Sequence, residues 1–439
     1  MSETSYAYKL FVRNDFSAFW ALFTDNLINL MVLAGVCQFV FQMPADIVFG
    51  RIIPGAAVAI LAGIAVFVYL FGVIGPIYWS TNDPVLAWQV GIGAGFMGGI
   101  VAALGAFIGP FLKRVTPRAG MLGTLCGIAL VFIGTVPLAT IFEDPFIGFA
   151  SMIIILWGLV GRFRLPFNIP AGLLALIVGT VVALAMGKAS ISFEGVGIYP
   201  PLPYFGDLIA GIQHLFANPE LFLVLVPVQI YNFIETMNNV ESAEAAGDSY
   251  PVATCQVTDG VGTMIGAVFG SPFPTTAYIG HPAYKRMGAH AGYIIAVGAV
   301  IPLAAVFGLL AFLNTLIPTA AAAPVLVFVA LSLITNTAHS VKTEHMAAVT
   351  IAMMPHVSAF LMVKWGSMMN ALGTIGVEGL PRLGDEALTA ALLQQGAHFE
   401  GHLALSQGAI LTGLIWGAIV ASVIDGRFRN ACGFALAAA

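Results

Sequence analysis

PVQIYNFIETMNNVESAEAAGDSYPVATCQVTDGVGTMIGAVFGSPFPTTAYIGHPAYK, residues Pro227 to Lys285, is the most polar stretch of a very apolar chain. It carries Glu235, Glu241, Glu244, Asp248, Asp259 and His281, each close to or inside long apolar runs. An ionisable group at membrane depth is costly, so it usually serves a function and faces a cavity. From Phe269 to Pro282 the apolar run is broken by glycine and proline. Such an interruption points to a broken helix whose freed backbone groups line a site. The stretch therefore reads as half of a transport site.

The rest of the chain agrees with a membrane setting. Of 439 residues, 59% are hydrophobic and only 8% charged, with a mean hydropathy of +0.96. A soluble domain typically carries about 25% charge, so this chain is read as an integral membrane protein. Its apolar runs are long and do not alternate, which favours helices over a barrel. At roughly 20 apolar residues per span, the length allows about a dozen spans, or about 14 if some are short. The net charge of −5 says little, because loop asymmetry outweighs the total. Cys37, Cys126, Cys255 and Cys432 lack metal spacing and read as small apolar residues. The first apolar run is long enough to span and stay, so no cleaved leader is expected.

Taken in order, spans are expected near 16–41, 52–70, 85–112, 120–138, 147–159, 171–186, 221–240, 257–269, 291–312, 323–334, 345–372 and 403–424. Two broken segments, 71–84 and 269–282, complete the count as spans 3 and 10. A short surface helix is expected near 207–216, inside a loop rich in proline. With the N-terminus inside, Lys113, Arg114 and Arg118 fall on the inner side. So do Arg162, Arg164, Lys285, Arg286, Lys342, Arg427 and Arg429. Only Arg51, Lys188 and Arg382 go the other way, and they do so singly. This is the positive-inside pattern, with both termini cytoplasmic. A bacterial inner membrane is the expected location.

The chain also looks doubled. Phe23, Asp25 and Asn29 in span 1 repeat the spacing of Phe233, Glu235 and Asn239 in span 8. Phe71, Gly72 and Pro76 match Phe269, Gly270 and Pro274 in the two broken segments. An odd number of spans per half inverts the second half. Paired broken helices in inverted repeats are a frequent secondary-transporter plan, with the site near the midplane. Convergent use of glycine and proline in packed helices is the competing explanation.

Three segments resemble the nucleobase/ascorbate transporter family, the xanthine and uracil permeases. Glu235 to Val240 resembles its eighth-span acidic motif. Thr258, Asp259, Gly260, Gly262 and Thr263, followed by Phe269 and Gly270, are similar to its ninth-span pattern. Ser271 to Tyr278 resembles its threonine-rich tenth span. The sequence departs from the family at Asn238, where glycine is usual, and at Gly280 and His281, where a second acid or Gln is frequent. The resemblance implies an all-α polytopic membrane protein with about 14 transmembrane segments as 7+7 inverted repeats. Short extended strands would meet in broken spans 3 and 10. It further implies a core domain from residues 1–118 and 191–312, and a gate domain from 119–190 and 313–439. The implied activity is proton- or sodium-coupled uptake of a nucleobase such as xanthine or uracil, often by a homodimer. The core domain would move against the gate domain.

Candidate residues follow from chemistry. The Glu235 carboxylate can accept hydrogen bonds from a base edge and can carry a coupling proton; otherwise it is a buried acid locked to a neighbour. Asn239 lies one turn on, with donors and an acceptor for a heterocycle or for an adjacent helix. His281 is a substrate ligand, a proton relay or an end-of-helix histidine. Thr275, Thr276, Ala277 and Tyr278 offer backbone donors and a π face. Tyr78 and Trp79 would stack on a planar ring or sit in an interfacial belt. Asp25 and Asn29 are the repeat partners of Glu235 and Asn239. Asp259 reads as architectural.

Two other classes compete. An inorganic or organic anion carrier of the sulfate-permease type would share the architecture, with half-helix N-termini favouring anions. A membrane enzyme would need a nucleophile and base or a metal cluster; no His-Glu-x-x-His, Gly-x-Ser-x-Gly or phosphate-binding loop is present in the sequence. No cofactor beyond a coupling proton or sodium ion and no nucleic-acid partner is expected. The expected partners are the bilayer and a small-molecule substrate.

Overall fold

A computed structural model describes residues 73–74, 77–78, 81, 83–165, 169–193, 196–198, 202–219, 221–274, 276–277, 279–286, 300, 303–375 and 384–438. It is built of helices. Among the described residues, four are long and apolar enough to cross a membrane: Val85–Gly105, Arg118–Glu143, Thr319–Ser340 and Thr343–Met369. A fifth is a bent pair, Phe399–Ser406 and Ala409–Ile424, turned by 87°. The chain is an integral membrane protein on these helices. The expected 14 spans exceed what the described residues show: spans 1 and 2, half of broken span 3 and half of span 11 lie outside them, as do Phe23, Asp25, Asn29, Phe71, Gly72 and Pro76 of the expected repeat.

The chain divides into two compact units. The first takes residues 1–111 and 133–333. Its centre is helix α1, Pro84–Gly105, started by Asp83, whose Oδ1 accepts from the amides of Val85 and Leu86 at 2.9 and 3.1 Å. Around it pack α7 (Phe205–Ala217), α8 (Leu221–Ala245) and α9 (Val252–Val268). Glycine permits this closeness: a Cβ on Gly99 would lie 2.6 Å from the Gly260 carbonyl oxygen of α9. With no hydrophobic drive between helices in lipid, such small-residue contact is what packs them. Trp88 of α1 is buried, and its Nε1 donates to the Gly270 carbonyl at 2.9 Å, pinning the end of α9. Gln89 Nε2 donates to Asp207 Oδ1 at 2.8 Å, so the expected surface helix is held at its first turn.

Helix α5, Pro145–Ile155, and helix α6, Ala171–Ala185, form a second pair in this unit. Ser151 donates to the Ala175 carbonyl at 2.8 Å between them. The short helix α10, His281–Arg286, follows a run in which residues 271–274, 276–277 and 279–280 are non-helical. The expected strands are not seen: no strand is present among the described residues. In the run after α9, Ala277 has its N–H and its carbonyl engaged by side chains instead of a neighbouring ladder.

The second unit takes residues 112–132 and 334–439. Helix α2, Gly109–Val115, leads into α3, Arg118–Ile128, which continues through a π-helical turn, Ala129–Thr135, to α4, Val136–Glu143, a helix of the first unit. Pro137 lies at the start of α4, and a π turn just before a proline is one way a span absorbs its missing N–H. Helix α11, Leu309–Leu316, and the larger part of α12, Thr319–Ser340, also belong to the first unit, and α12 ends in the second; there α13, Met346–Thr374, runs on through Pro355. Helix α14, Glu386–Gln394, lies in the second long loop. Then come α15, Phe399–Ser406, α16, Ala409–Ile424, and α17, Phe428–Ala438. In the second unit α3, α13 and α16 pack tightly; a Cβ on Gly417 would lie 2.7 Å from the Gly120 Cα. The bend between α15 and α16 is made at Gly408, whose φ of 61° suits glycine.

Candidate functional site

Helix α8 carries the site because one of its faces is polar and buried. Gln229, Asn232, Thr236 and Asn239 follow at helical spacing, with Glu235 and Asn238 alongside. All six are at most 2% exposed. A polar face hidden within an apolar unit must find partners or a guest.

Part of that face is satisfied by the non-helical run. Thr236 Oγ1 donates to Asp259 Oδ2 at 2.8 Å and lies 2.9 Å from Thr276 Oγ1. The Ala277 amide donates to the same Asp259 oxygen at 2.9 Å. Asn239 Nδ2 donates to the Ala277 carbonyl at 2.6 Å. Asp259 thus ties α8 to the run after α9. Asn239 and Ala277 hold each other.

The other part is unsatisfied. Among the described residues, Glu235 Oε2, Asn239 Oδ1 and both polar atoms of the Asn238 amide have no hydrogen-bond partner. They lie within about a turn of one another on α8, next to the run that Thr276 and Ala277 belong to. Residues 276–277 and 279–280 are non-helical. Chemically this is a small cluster of a carboxyl with amide donors and acceptors, beside a non-helical backbone whose Ala277 groups are held by side chains.

His281 lies elsewhere. Its Nε2 is 2.8 Å from Asp248 Oδ2, and its ring meets Tyr250 edge-on. Lys285 Nζ lies 3.0 Å from Asp248 Oδ1 and donates to the Ala246 carbonyl. Partial burial raises the Asp248 carboxyl, but the hydrogen bonds from His281 and Lys285 outweigh it and hold the group below its ordinary value. This set latches α10 to the turn after α8. Tyr78 is partly buried and packs on the apolar core of the first unit. Thr275, Tyr278, Trp79, Asp25 and Asn29 lie outside the described residues. Glu241, further along the same helix, is buried at 3% exposure. Thr236 and Asn238 were not singled out in the sequence; the helical spacing of Gln229, Asn232, Thr236 and Asn239 was the available signal.

No protein-family model matches the chain, and no curated protein matches it. Solved structures similar to it include the following two. One is the transmembrane domain of a cyanobacterium bicarbonate transporter, BicA, at 15% identity over 91% of this chain and 96% of that one, with a TM-score of 0.48. The other is SLC26A9, at 12% identity over 79% of this chain and 61% of that one, with a TM-score of 0.45. The expected membership of the nucleobase/ascorbate transporter family is therefore corrected. No model of it matches, and the similar structures are of other proteins. The physical reason is visible in the motif that suggested it: Asp259 caps the Ala277 amide and Gly260 admits α1. Close helix packing beside a broken segment demands both residues, whatever the cargo.

Proposed function

We propose that this chain is a secondary transporter of a small anion, moved together with a proton or a sodium ion. The observation that carries the reading is the set of buried, unpartnered polar atoms on Glu235, Asn238 and Asn239 in a membrane protein. Each such atom costs roughly 1–3 kcal/mol when nothing pairs with it. A set of them beside a non-helical run is what an intermittently filled site needs. The Asn238 amide nitrogen, buried and unpartnered, is a donor suited to a small oxyanion. An anion next to Glu235 is accommodated at least cost when a positive charge comes with it, and this couples the two fluxes. Glu235 is the coupling group, Asn238 the ligand, and Asn239 and Asp259 the frame.

The test is uptake into proteoliposomes with a panel of bicarbonate, sulfate, nitrate and chloride, under imposed proton or sodium gradients. One anion should accumulate in response to one gradient. Glu235→Gln should uncouple the two, and Asn238→Ala should weaken uptake at least tenfold. If no anion of the panel moves, or if both variants behave as the parent, the reading is wrong. Displacement of a bound anion by a purine or pyrimidine would also count against it.

A further inference from the structure

A second, separate site lies within the other unit. The link from α2 to α3, the end of α12 and the end of α16 enclose a cavity of about 350 Å³. Its size is within the roughly 300–1,000 Å³ of small-molecule sites. Four permanent cations line it: Arg114, Arg118, Lys342 and Arg427. Asp425 is its one lining carboxylate. That carboxylate is already committed, with His345 Nε2 at 2.9 Å from one oxygen and Arg427 Nε at 3.9 Å from the other. The cavity therefore keeps a clear positive excess.

Two further features select the ligand. Helix α3 opens at Arg118 with no side chain capping its first turn, and Ala119 of that turn lines the cavity. An uncapped first turn offers amide hydrogens and a positive partial charge to an oxyanion. The hydroxyl residues Thr116 and Ser422 line the cavity while being 6% and 2% exposed. Guanidinium groups, amides and hydroxyls together match the several oxygens of a phosphate group. Beside the cavity, α17 carries exposed Phe428 and Leu436, as a helix lying at a lipid interface does.

We propose that this cavity binds a phosphate group, carried either by an anionic phospholipid or by a soluble phosphate compound. It lies on the face that the basic-residue count assigns to the cytoplasm, where anionic headgroups attract Lys and Arg. It shares no residue with the α8 site.

The test uses the full chain, delipidated in detergent, with melting followed as ligand is added. Probes are phosphatidylglycerol, phosphatidylcholine, inorganic phosphate and pyrophosphate. Ligand that binds only the folded state raises the midpoint. Phosphatidylglycerol alone raising it by at least about 2 °C identifies a lipid headgroup. A comparable rise with inorganic phosphate or pyrophosphate identifies a soluble ligand. In either case the paired variant Lys342→Gln/Arg427→Gln should lose at least half of the shift. Arg429→Gln, on the same face but outside the lining, should keep it. Equal stabilisation by phosphatidylcholine, an unchanged shift in the paired variant, or equal loss in Arg429→Gln each overturns the proposal. The last would mean diffuse surface charge. Lys342 and Arg427 are exposed, so the paired variant is expected to fold; its unliganded midpoint and circular dichroism check that directly.

Discussion

Asp259→Ala is the sharpest test of how the α8 site is framed. One carboxylate oxygen accepts from Thr236 Oγ1 at 2.8 Å and from the Ala277 amide at 2.9 Å. After the substitution Thr236 keeps Thr276 Oγ1 as a neighbour at 2.9 Å. The Ala277 amide is left without that acceptor. An orphaned buried amide costs roughly 1–3 kcal/mol. A lost side-chain bond between helices in a membrane costs about 0.6 kcal/mol. The sum, about 2–4 kcal/mol, corresponds to a fall of several degrees in the melting midpoint. Asp259→Asn keeps an oxygen able to accept both bonds and should lose less than half as much. Both are measured by thermal unfolding in one detergent, beside the parent. A neutral Asp259→Ala, or an Asp259→Asn as damaged as Asp259→Ala, would refute the reasoning. The first would show that the run stands without Asp259, the second that charge matters and acceptor geometry does not.

Two further outcomes follow from packing and titration. Gly99→Leu places a side chain where even a Cβ would lie 2.6 Å from the Gly260 carbonyl oxygen, so α1 and α9 must part. A loss of at least about 2 kcal/mol is expected, read as poor yield and early melting; parental stability would show that the helices are not so close. Asp248 has a folded value below its unfolded one, so its contribution is full above about pH 4 and fades as the pH falls through the folded value. Being partly exposed, it contributes at most about 1 kcal/mol. The melting difference between the parent and Asp248→Asn should therefore be present at pH 7 and close near pH 3; a gap that widens in acid would contradict the latch.

What the sequence disclosed depended on how local the signal was. Span 8 emerges as α8, Leu221–Ala245, because acids and amides inside an apolar run are rare and easily seen. The break after Val268 was legible from glycine and proline alone. The fold around the break was not. Asn239 and Asp259 both converge on Ala277, a pairing across separate segments that no periodicity reveals. His281 reads from the sequence as a substrate ligand, a proton relay or an end-of-helix histidine, three roles that its place after the broken segment leaves open. It is turned to Asp248 by the folding-back of the loop after α8, which sequence spacing does not encode. The turn at Gly408 escaped notice because it interrupts an otherwise continuous apolar run, and one glycine there looks like packing. The family assignment failed for a related reason: the residues that suggested it answer to packing demands that many membrane folds share.

Glu235 and Asp259 make the argument that separates frame from site. Both are acids on adjacent packed helices, yet Asp259 accepts two bonds while Glu235 Oε2 accepts none among the described residues. If Glu235 is kept for a guest, the protein carries its cost for function, and removing it should stabilise the fold. Methionine is close to glutamate in length and volume and has no demand for a strong hydrogen bond. Replacing a buried polar group that lacks a partner by an apolar one of similar shape is neutral to stabilising by about 1–3 kcal/mol. Glu235→Met should therefore melt at or above the parent, where Asp259→Ala melts below it. Uptake of the anion should be lost in Glu235→Met. A variant that both melts earlier and loses uptake would place Glu235 in the frame beside Asp259. The transport reading would then have lost the observation that carries it. Stability gained with uptake lost is an outcome that only a site residue produces.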